Sequence, residues 1–386
     1  MTCCGRIPCP RWSTRPATTP PRASLPCPSE AGFGAAGQTA PDPRPARRRH
    51  PPGPGVRPRA PIGGMGVAHA KPELLIYNAN PQRAAGVRDI VQARFPDLTI
   101  YTASDPAEAE AVIDRVEIIA SGMLPAHLLA KAKNLRWLHK LQAGVDDVVV
   151  SGALPAGVVL TRTDGRVFAR RMAEHVIAYI LALSHDIRRI VLQQQAREWR
   201  PFVTRTVAGR TVGVAGVGDI GAEVARLAAA MGMRVVGWRR SPQPVPGVER
   251  MYAGPGEFHP FLAEADFVVI VLPLTPATRG LFDAAALAAM RPGAYLINVG
   301  RGAVVDEEAL VEALRSGRLA GAALDVFVQE PLPPDHPLWA MDNVYITPHM
   351  SGPTLPEEVC GPFLDNLERY LRGEPLAKQV ALDRGY

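Results

Sequence analysis

Lysine is absent from the first 64 residues of this 386-residue chain, and acids nearly so: ten arginines stand there against Glu30 and Asp42. The remainder holds 33 basic and 35 acidic residues, so the formal charge of +6 belongs to the leader alone. The rest therefore lacks the basic stripe that a nucleic-acid binder needs. Cysteine is as scarce: Cys3, Cys4, Cys9 and Cys27 lie in the leader and only Cys360 lies beyond it. One cysteine cannot build an intramolecular disulfide framework, which points to a reducing compartment, the cytoplasm. No C-x-x-C pair or zinc-like spacing occurs, so no metal site is expected. No run of 18 apolar residues occurs either, so no membrane span is expected.

What the leader has in plenty is proline, 15 of the 39 in the chain, with Arg47-Arg48-Arg49 among them. Such a segment cannot bury enough apolar surface to offset chain entropy, and we expect residues 1–70 to be a disordered Pro/Arg-rich leader. It is Arg-rich and acid-poor like a targeting peptide, but its prolines oppose the amphipathic helix such peptides form. Met65 is the expected functional start, because ordered sequence begins just after it at Pro72-Glu-Leu-Leu-Ile-Tyr77.

From Leu74 onward short apolar runs alternate with helical patterns, the signature of parallel sheets. Strands are predicted at Leu74–Tyr77, Leu98–Tyr101, Ile118–Ala120 and Leu135–Leu138, with helices at Ala84–Phe95 and Pro125–Ala132. A longer helix, Phe168–Ser184, places Met172, Val176, Ile177, Ile180 and Leu183 on one face. Six more strands follow at Thr211–Ala215, Arg234–Trp238, Phe267–Leu272, Ala294–Val299, Ala322–Val326 and Val344–Thr347. Helices at Ile220–Met231, Phe258–Glu264, Asp283–Met290 and Glu307–Ser316 alternate with them, the doubly wound dinucleotide-binding pattern. An amphipathic helix through Phe363, Leu364, Leu367, Tyr370 and Leu371 closes the chain, and Gly373 stops it.

Gly216-Val217-Gly218-Asp219-Ile220-Gly221 is a G-x-G-x-x-G between a predicted strand and a predicted helix, the context that gives the motif its meaning. Gly216 permits the tight turn, Gly218 lets the backbone approach a pyrophosphate, and Gly221 lets helix and strand pack closely. The helix N-terminus then offers N–H groups and a positive dipole end to the anion.

Hydride transfer to a 2-keto acid needs a cation for the substrate carboxylate and carbonyl, a general acid for the developing alkoxide, and a group that tunes that acid. Open α/β sheets bind ligands at the C-terminal ends of their strands. Arg301, Glu330 and His349 all follow predicted strands there. Singly, each has an ordinary alternative: an arginine after a strand is commonly a surface cation, and a lone histidine a satisfied loop residue.

The blocks Gly216–Gly221, Leu272-Pro-Leu-Thr-Pro-Ala-Thr-Arg-Gly280, Leu296-Ile-Asn-Val-Gly-Arg-Gly-Ala-Val-Val-Asp306, Ala323-Leu-Asp-Val-Phe327 and Thr347-Pro-His349 resemble, in order, the D-isomer-specific 2-hydroxyacid dehydrogenase family. The resemblance runs from about Leu74 to the C-terminus. It implies two doubly wound α/β domains, a Rossmann domain inserted into a smaller flavodoxin-like substrate domain. The expected boundaries are 72–165 plus 353–386 for the substrate domain and 166–352 for the NAD(P) domain. By resemblance, Arg301 binds carboxylate and carbonyl, His349 is the acid/base, and Glu330 pairs with His349 to raise its pKa. Asp325 would contact the nicotinamide, with Leu272, Pro273 and Val299 also lining the cofactor. Ala143 and Gly144, in Leu141-Gln-Ala-Gly-Val-Asp146, would give backbone N–H groups to the substrate carboxylate. A homodimer is implied, paired through the Arg166–Trp199 region. Gln142 and Met350 depart from the family pattern and bear on which acid is bound. Glu330 argues against formate dehydrogenase activity, where the histidine's partner is glutamine.

Cofactor choice has its own signal. An acid about 20 residues past the first glycine would hold the NAD ribose. Here Arg239, Arg240 and Ser241 stand in its place, so NADP(H) is favoured and NAD(H) remains possible. The expected activity is reduction of glyoxylate, hydroxypyruvate or a related short keto acid. The alternatives are a dehydrogenase for a bulkier 2-hydroxy acid or phosphoglycerate, and a dinucleotide-sensing regulatory protein of the same fold.

Overall fold

The structure, a computed structural model, describes residues 71–382. The expectations for the leader and for Met65 fall outside those residues.

Two parallel sheets organise the chain. The first contains β1 (Glu73–Tyr77), β2 (Thr99–Ala103), β3 (Ile118–Ser121), β4 (Trp137–Lys140) and β5 (Val159–Arg162) in the order β2-β1-β3-β4-β5. This is the flavodoxin-like order. Helices α1 (Pro81–Arg94), α2 (Pro106–Glu110), α3 (Ala126–Leu129) and α4 (Asp146–Val149) connect its strands. Two long helices follow, α5 (Gly165–His185) and α6 (Ile187–Ala196).

The second sheet contains β6 (Thr211–Ala215), β7 (Arg234–Arg239), β8 (Arg250–Ala253), β9 (Phe267–Ile270), β10 (Ala294–Asn298), β11 (Leu319–Leu324) and β12 (Val344–Ile346). Its order is β12-β11-β10-β9-β6-β7-β8. Counted from β6 as its first strand, this is the Rossmann order 3-2-1-4-5-6 with one strand added. Helices α7 (Asp219–Ala230), α8 (Phe258–Glu264), α9 (Ala284–Ala289) and α10 (Glu307–Arg315) cross between the strands. Helix α11 (Pro356–Leu371) then returns to the first sheet and packs on α1.

The central strands are mostly apolar because helices cover both faces of a parallel sheet. All residues of β6 and β9 are buried. Helix α5 buries Phe168, Met172, Ala173, Val176, Ile180 and Leu183. Those side chains share one core with Leu74 and Ile76 of β1 and Val212 and Val214 of β6, so α5 joins the sheets. Helix α11 closes the smaller sheet by stacking Phe363 on Trp137, with ring centroids 5.3 Å apart.

Two strands, the short helices α2 and α4, and α6 go beyond the sequence reading. β5 and β8 are four-residue edge strands with mixed burial, so neither has the uniform apolar run of an interior strand. Helix α6 buries none of its residues, and Ile187, Ile190, Val191 and Leu192 remain exposed. β11 also starts three residues earlier than expected, because Leu319-Ala-Gly has no β-branched or aromatic residue to mark a strand.

Candidate active site

The pieces of the site come from the C-terminal edges of both sheets. Gly216 follows β6 at φ +101°, where a Cβ would stand 2.7 Å from the Val271 carbonyl oxygen. A Cβ on Gly221 would overlap the Gly216 carbonyl oxygen, whereas Gly218 faces open space. Gly218 precedes α7 without any side-chain cap, so the first N–H groups of this 12-residue helix are left for a ligand. Two glycines are thus imposed by backbone contact and one opens a cradle. That arrangement fits the pyrophosphate of a dinucleotide. Asp219 and Ile220 form the first turn of α7. Arg239 ends β7, half-buried, and no carboxylate partners it among the described residues. Arg240 and Ser241 follow, exposed. Leu272 and Pro273 lie just past β9, and Val299 just past β10.

Arg301 is held by its glycine neighbours as much as by its own bonds. A Cβ on Gly300 would press on the Leu272 backbone at 2.8 Å, and one on Gly302 would overlap Phe327. Asn298 braces the turn by accepting from the Gly300 N–H at 3.0 Å and donating to the Arg301 carbonyl at 3.1 Å. The guanidinium crosses to the other sheet. Its Nε donates to both Asp146 oxygens at 3.0 and 3.2 Å, and its Nη2 lies 3.0 Å from Oδ1.

His349 Nδ1 lies 2.7 Å from Glu330 Oε2, and Glu330 Oε1 accepts from the Phe327 N–H at 3.0 Å. Burial alone would raise the Glu330 carboxyl. The bonds from His349 and the Phe327 amide, with the charges of His349 and Arg301, outweigh it and hold the carboxyl below its usual range. His349 adopts φ +49°, a left-handed conformation uncommon for a side-chain-bearing residue. Its loop is over-determined to keep it there. Buried Asp325 accepts from the Thr347 hydroxyl at 2.7 Å and from the N–H groups of Met350 and Ser351 at 2.9 and 3.0 Å, and its carbonyl accepts the His349 N–H. Both Asp325 carboxylate oxygens are therefore already engaged with the histidine loop.

Ala143 and Gly144 follow β4, and their N–H groups have no acceptor among the described residues. The Ala143 carbonyl accepts from Arg162 Nη1 at 3.0 Å. Lys140, fully buried at the end of β4, donates to the Gly122 carbonyl and to Asp147 at 2.5 Å.

The structure thus brings Arg301 to the Ala143–Asp146 loop and His349 to Glu330. Sequence reasoning missed Asp146, Arg162 and Lys140. Their partners lie between 7 and 155 residues away, and no local spacing marks them. The glycines flanking Arg301 were the available signal for its loop.

Residues 177–351 match the NAD-binding domain of the D-isomer-specific 2-hydroxyacid dehydrogenases. A glyoxylate/hydroxypyruvate reductase A from Serratia proteamaculans is 38% identical over 267 residues, which span 68% of this chain and 85% of that protein. The D-isomer-specific 2-hydroxyacid dehydrogenase of Xanthobacter autotrophicus, solved with NADPH and MES, is 38% identical with a TM-score of 0.74, covering 82% of this chain and all of that one. An NADPH-dependent glyoxylate/hydroxypyruvate reductase from Sinorhizobium meliloti, solved with NADP and sulfate, is 33% identical with a TM-score of 0.74, covering 81% and 100%. Agreement in sheet order, glycine turn and relatives over most of the chain leads to one conclusion: it belongs to the D-isomer-specific 2-hydroxyacid dehydrogenase family of NAD(P)-dependent oxidoreductases.

Proposed function

We propose that the protein is an NADPH-dependent reductase of short 2-keto acids of the glyoxylate and hydroxypyruvate type. The observation that carries this reading is the His349–Glu330 pair on the same sheet edge as Arg301. Arg301 and the N–H groups of Ala143 and Gly144 hold the substrate carboxylate, and Arg301 polarises the carbonyl. With Nδ1 of His349 committed to Glu330, Nε2 is the nitrogen that gives a proton to the carbonyl oxygen. Glu330 stays ionised and orients the ring. NADPH, when bound, supplies the hydride to the carbonyl carbon. Gly216, Gly218, Asp219, Ile220 and Gly221 receive its pyrophosphate, and Leu272, Pro273, Val299 and Asp325 border its nicotinamide half. Arg239, Arg240 and Ser241 take the 2′-phosphate, a preference supported by the NADP-bound relatives.

The substrate domain comprises 72–165 with 353–386, and the cofactor domain 166–352. The protein pairs as a homodimer through α6 and the segment reaching Trp199. The support is an apolar face at Ile187, Ile190, Val191 and Leu192, with Trp199 94% exposed. A cytoplasmic setting rests on cysteine usage: Cys360, a free thiol, is the one cysteine beyond the leader.

A keto-acid panel with NADPH and NADH tests the reading. Glyoxylate and hydroxypyruvate should turn over best, with NADPH, and Arg239→Asp should move the preference toward NADH. His349→Ala should lower kcat by about 10²–10⁴ and leave NADPH affinity unchanged. Faster turnover of bulky keto acids would assign the bulkier substrate. NADPH binding without turnover of any keto acid would assign a dinucleotide sensor.

A further inference from the structure

Asp146 is the least expected neighbour of Arg301. It is an acid inside a loop that, on the reading above, receives an acid. The two side chains are only about a quarter exposed and reach across from different sheets. Gly144 makes the crossing possible: a Cβ there would overlap Arg301 Nη2 and lie 3.1 Å from Asp146 Oδ1. Asp147, beside it, is tied to Lys140, so the start of α4 is pinned from two directions.

A guanidinium has five N–H groups. In Arg301 the Nε–H is shared between both Asp146 oxygens, and one Nη1–H goes to the Gly300 carbonyl at 2.8 Å. Three remain, one on Nη1 and two on Nη2, enough for a forked contact with a substrate. Were the substrate carboxylate to replace Asp146, Arg301 would lose the bond that sets its plane and a largely covered acid would be left without its cation. Retention is the better arrangement, and it has an electrostatic consequence. The Arg301–Asp146 pair carries no net charge, so the site's attraction for anions is moderated by a carboxylate one guanidinium away.

We propose that Asp146 is a positioning residue that fixes the plane in which Arg301 meets the substrate, and that its charge biases the site toward substrates with a single carboxylate. This rests on the reductase reading.

The test compares wild type, Asp146→Asn and Asp146→Glu. Two quantities are measured: kcat with glyoxylate and NADPH, and the affinity of the enzyme–NADPH complex for oxalate, read by NADPH fluorescence. Oxalate has the size of glyoxylate with a second negative charge. An asparagine keeps one acceptor but turns an amide N–H toward the guanidinium, so Asp146→Asn should lower kcat roughly tenfold. Removing a full charge outweighs one misaligned hydrogen bond, so oxalate should bind several-fold tighter. Asp146→Glu restores the charge and should return oxalate affinity to the wild-type value. A kcat within twofold of wild type overturns the proposal. So does oxalate affinity that is unchanged or weaker in Asp146→Asn, the result of a merely structural role. If wild type turns over no keto acid, the reductase reading fails by itself. Oxalate binding then decides on Asp146, with equal affinities in wild type and Asp146→Asn counting against it.

Discussion

The turn at Gly216–Gly221 and the loop at Leu141–Asp147 do similar jobs by different physics. Each follows a strand of a parallel sheet and presents backbone N–H groups with no internal acceptor. The turn is shaped by exclusion: side chains at Gly216 and Gly221 would collide with backbone. The loop is shaped by attraction. Lys140 holds Asp147, Arg162 holds the Ala143 carbonyl, and Arg301 holds Asp146. Steric exclusion is local and insensitive to solvent, whereas charged contacts depend on partners elsewhere and on burial. The turn should therefore fail only when crowded, and the loop should fail by degrees as its cations are removed.

The loop's deepest cation should give the largest effect. Lys140 is fully buried, and Asp147 is only 23% exposed. Lys140→Met leaves that carboxylate and the Gly122 carbonyl without their donor, at a cost of about 3 kcal/mol or more. Thermal unfolding should show it, and Lys140→Met with Asp147→Leu should recover much of the loss, because the stranded charge is gone as well. A single variant as stable as wild type would mean that the loop's shape does not depend on this pair.

Crowding the turn comes next. Gly221→Ala puts a methyl group onto the Gly216 carbonyl oxygen, so α7 must move away from the turn. NADPH affinity should fall by about 10²-fold. Gly218→Ala is the contrast, since nothing lies within 4 Å of its Cβ in the protein. It should lose affinity only to the extent that the pyrophosphate needs that space. If both variants bind NADPH like wild type, close packing is not what shapes the turn.

The same difference explains what could be read from the sequence. The glycine turn, six of the seven strands of the second sheet and the placement of Arg301, Glu330 and His349 after strands all show as short local patterns, because close backbone approaches and apolar runs leave marks in neighbouring residues. β5 and β8 left weaker marks, being short edge strands with one wet side. The loop's supports left none. Lys140 ends an apolar strand and resembles a cation emerging into solvent until Asp147 folds over it. Asp146 reads as a helix-start acid until β10 and its glycine-flanked arginine are brought against it. Asp325 carries a comparable lesson. Its sequence block marks it as special, but only the fold shows both its oxygens bound to the loop that carries His349.

The smallest expected effect belongs to Arg162, and it separates two ways in which a cation can serve the loop. Its Nη1 donates to the Ala143 carbonyl at 3.0 Å. That carbonyl and the Gly144 N–H belong to one peptide group, so donation to the oxygen draws charge from the amide and makes its N–H a stronger donor. It also fixes the direction in which that N–H points. Arg162→Met keeps much of the stem and removes the bond, and KM for glyoxylate should rise about 3–10-fold, less than the full worth of a charge-assisted hydrogen bond because the effect reaches the substrate through one peptide group, with kcat and NADPH affinity little changed. Loss of a positive charge near the site would also raise KM for any anion, so Arg162→Met alone does not distinguish bond from field. Arg162→Lys does. It keeps the charge but shortens the reach and replaces the planar fork. A KM for Arg162→Lys close to that of Arg162→Met would assign the effect to the bond on Ala143. A KM near wild type would assign it to the field, and the loop would then rest on Lys140 and Asp146 for its shape.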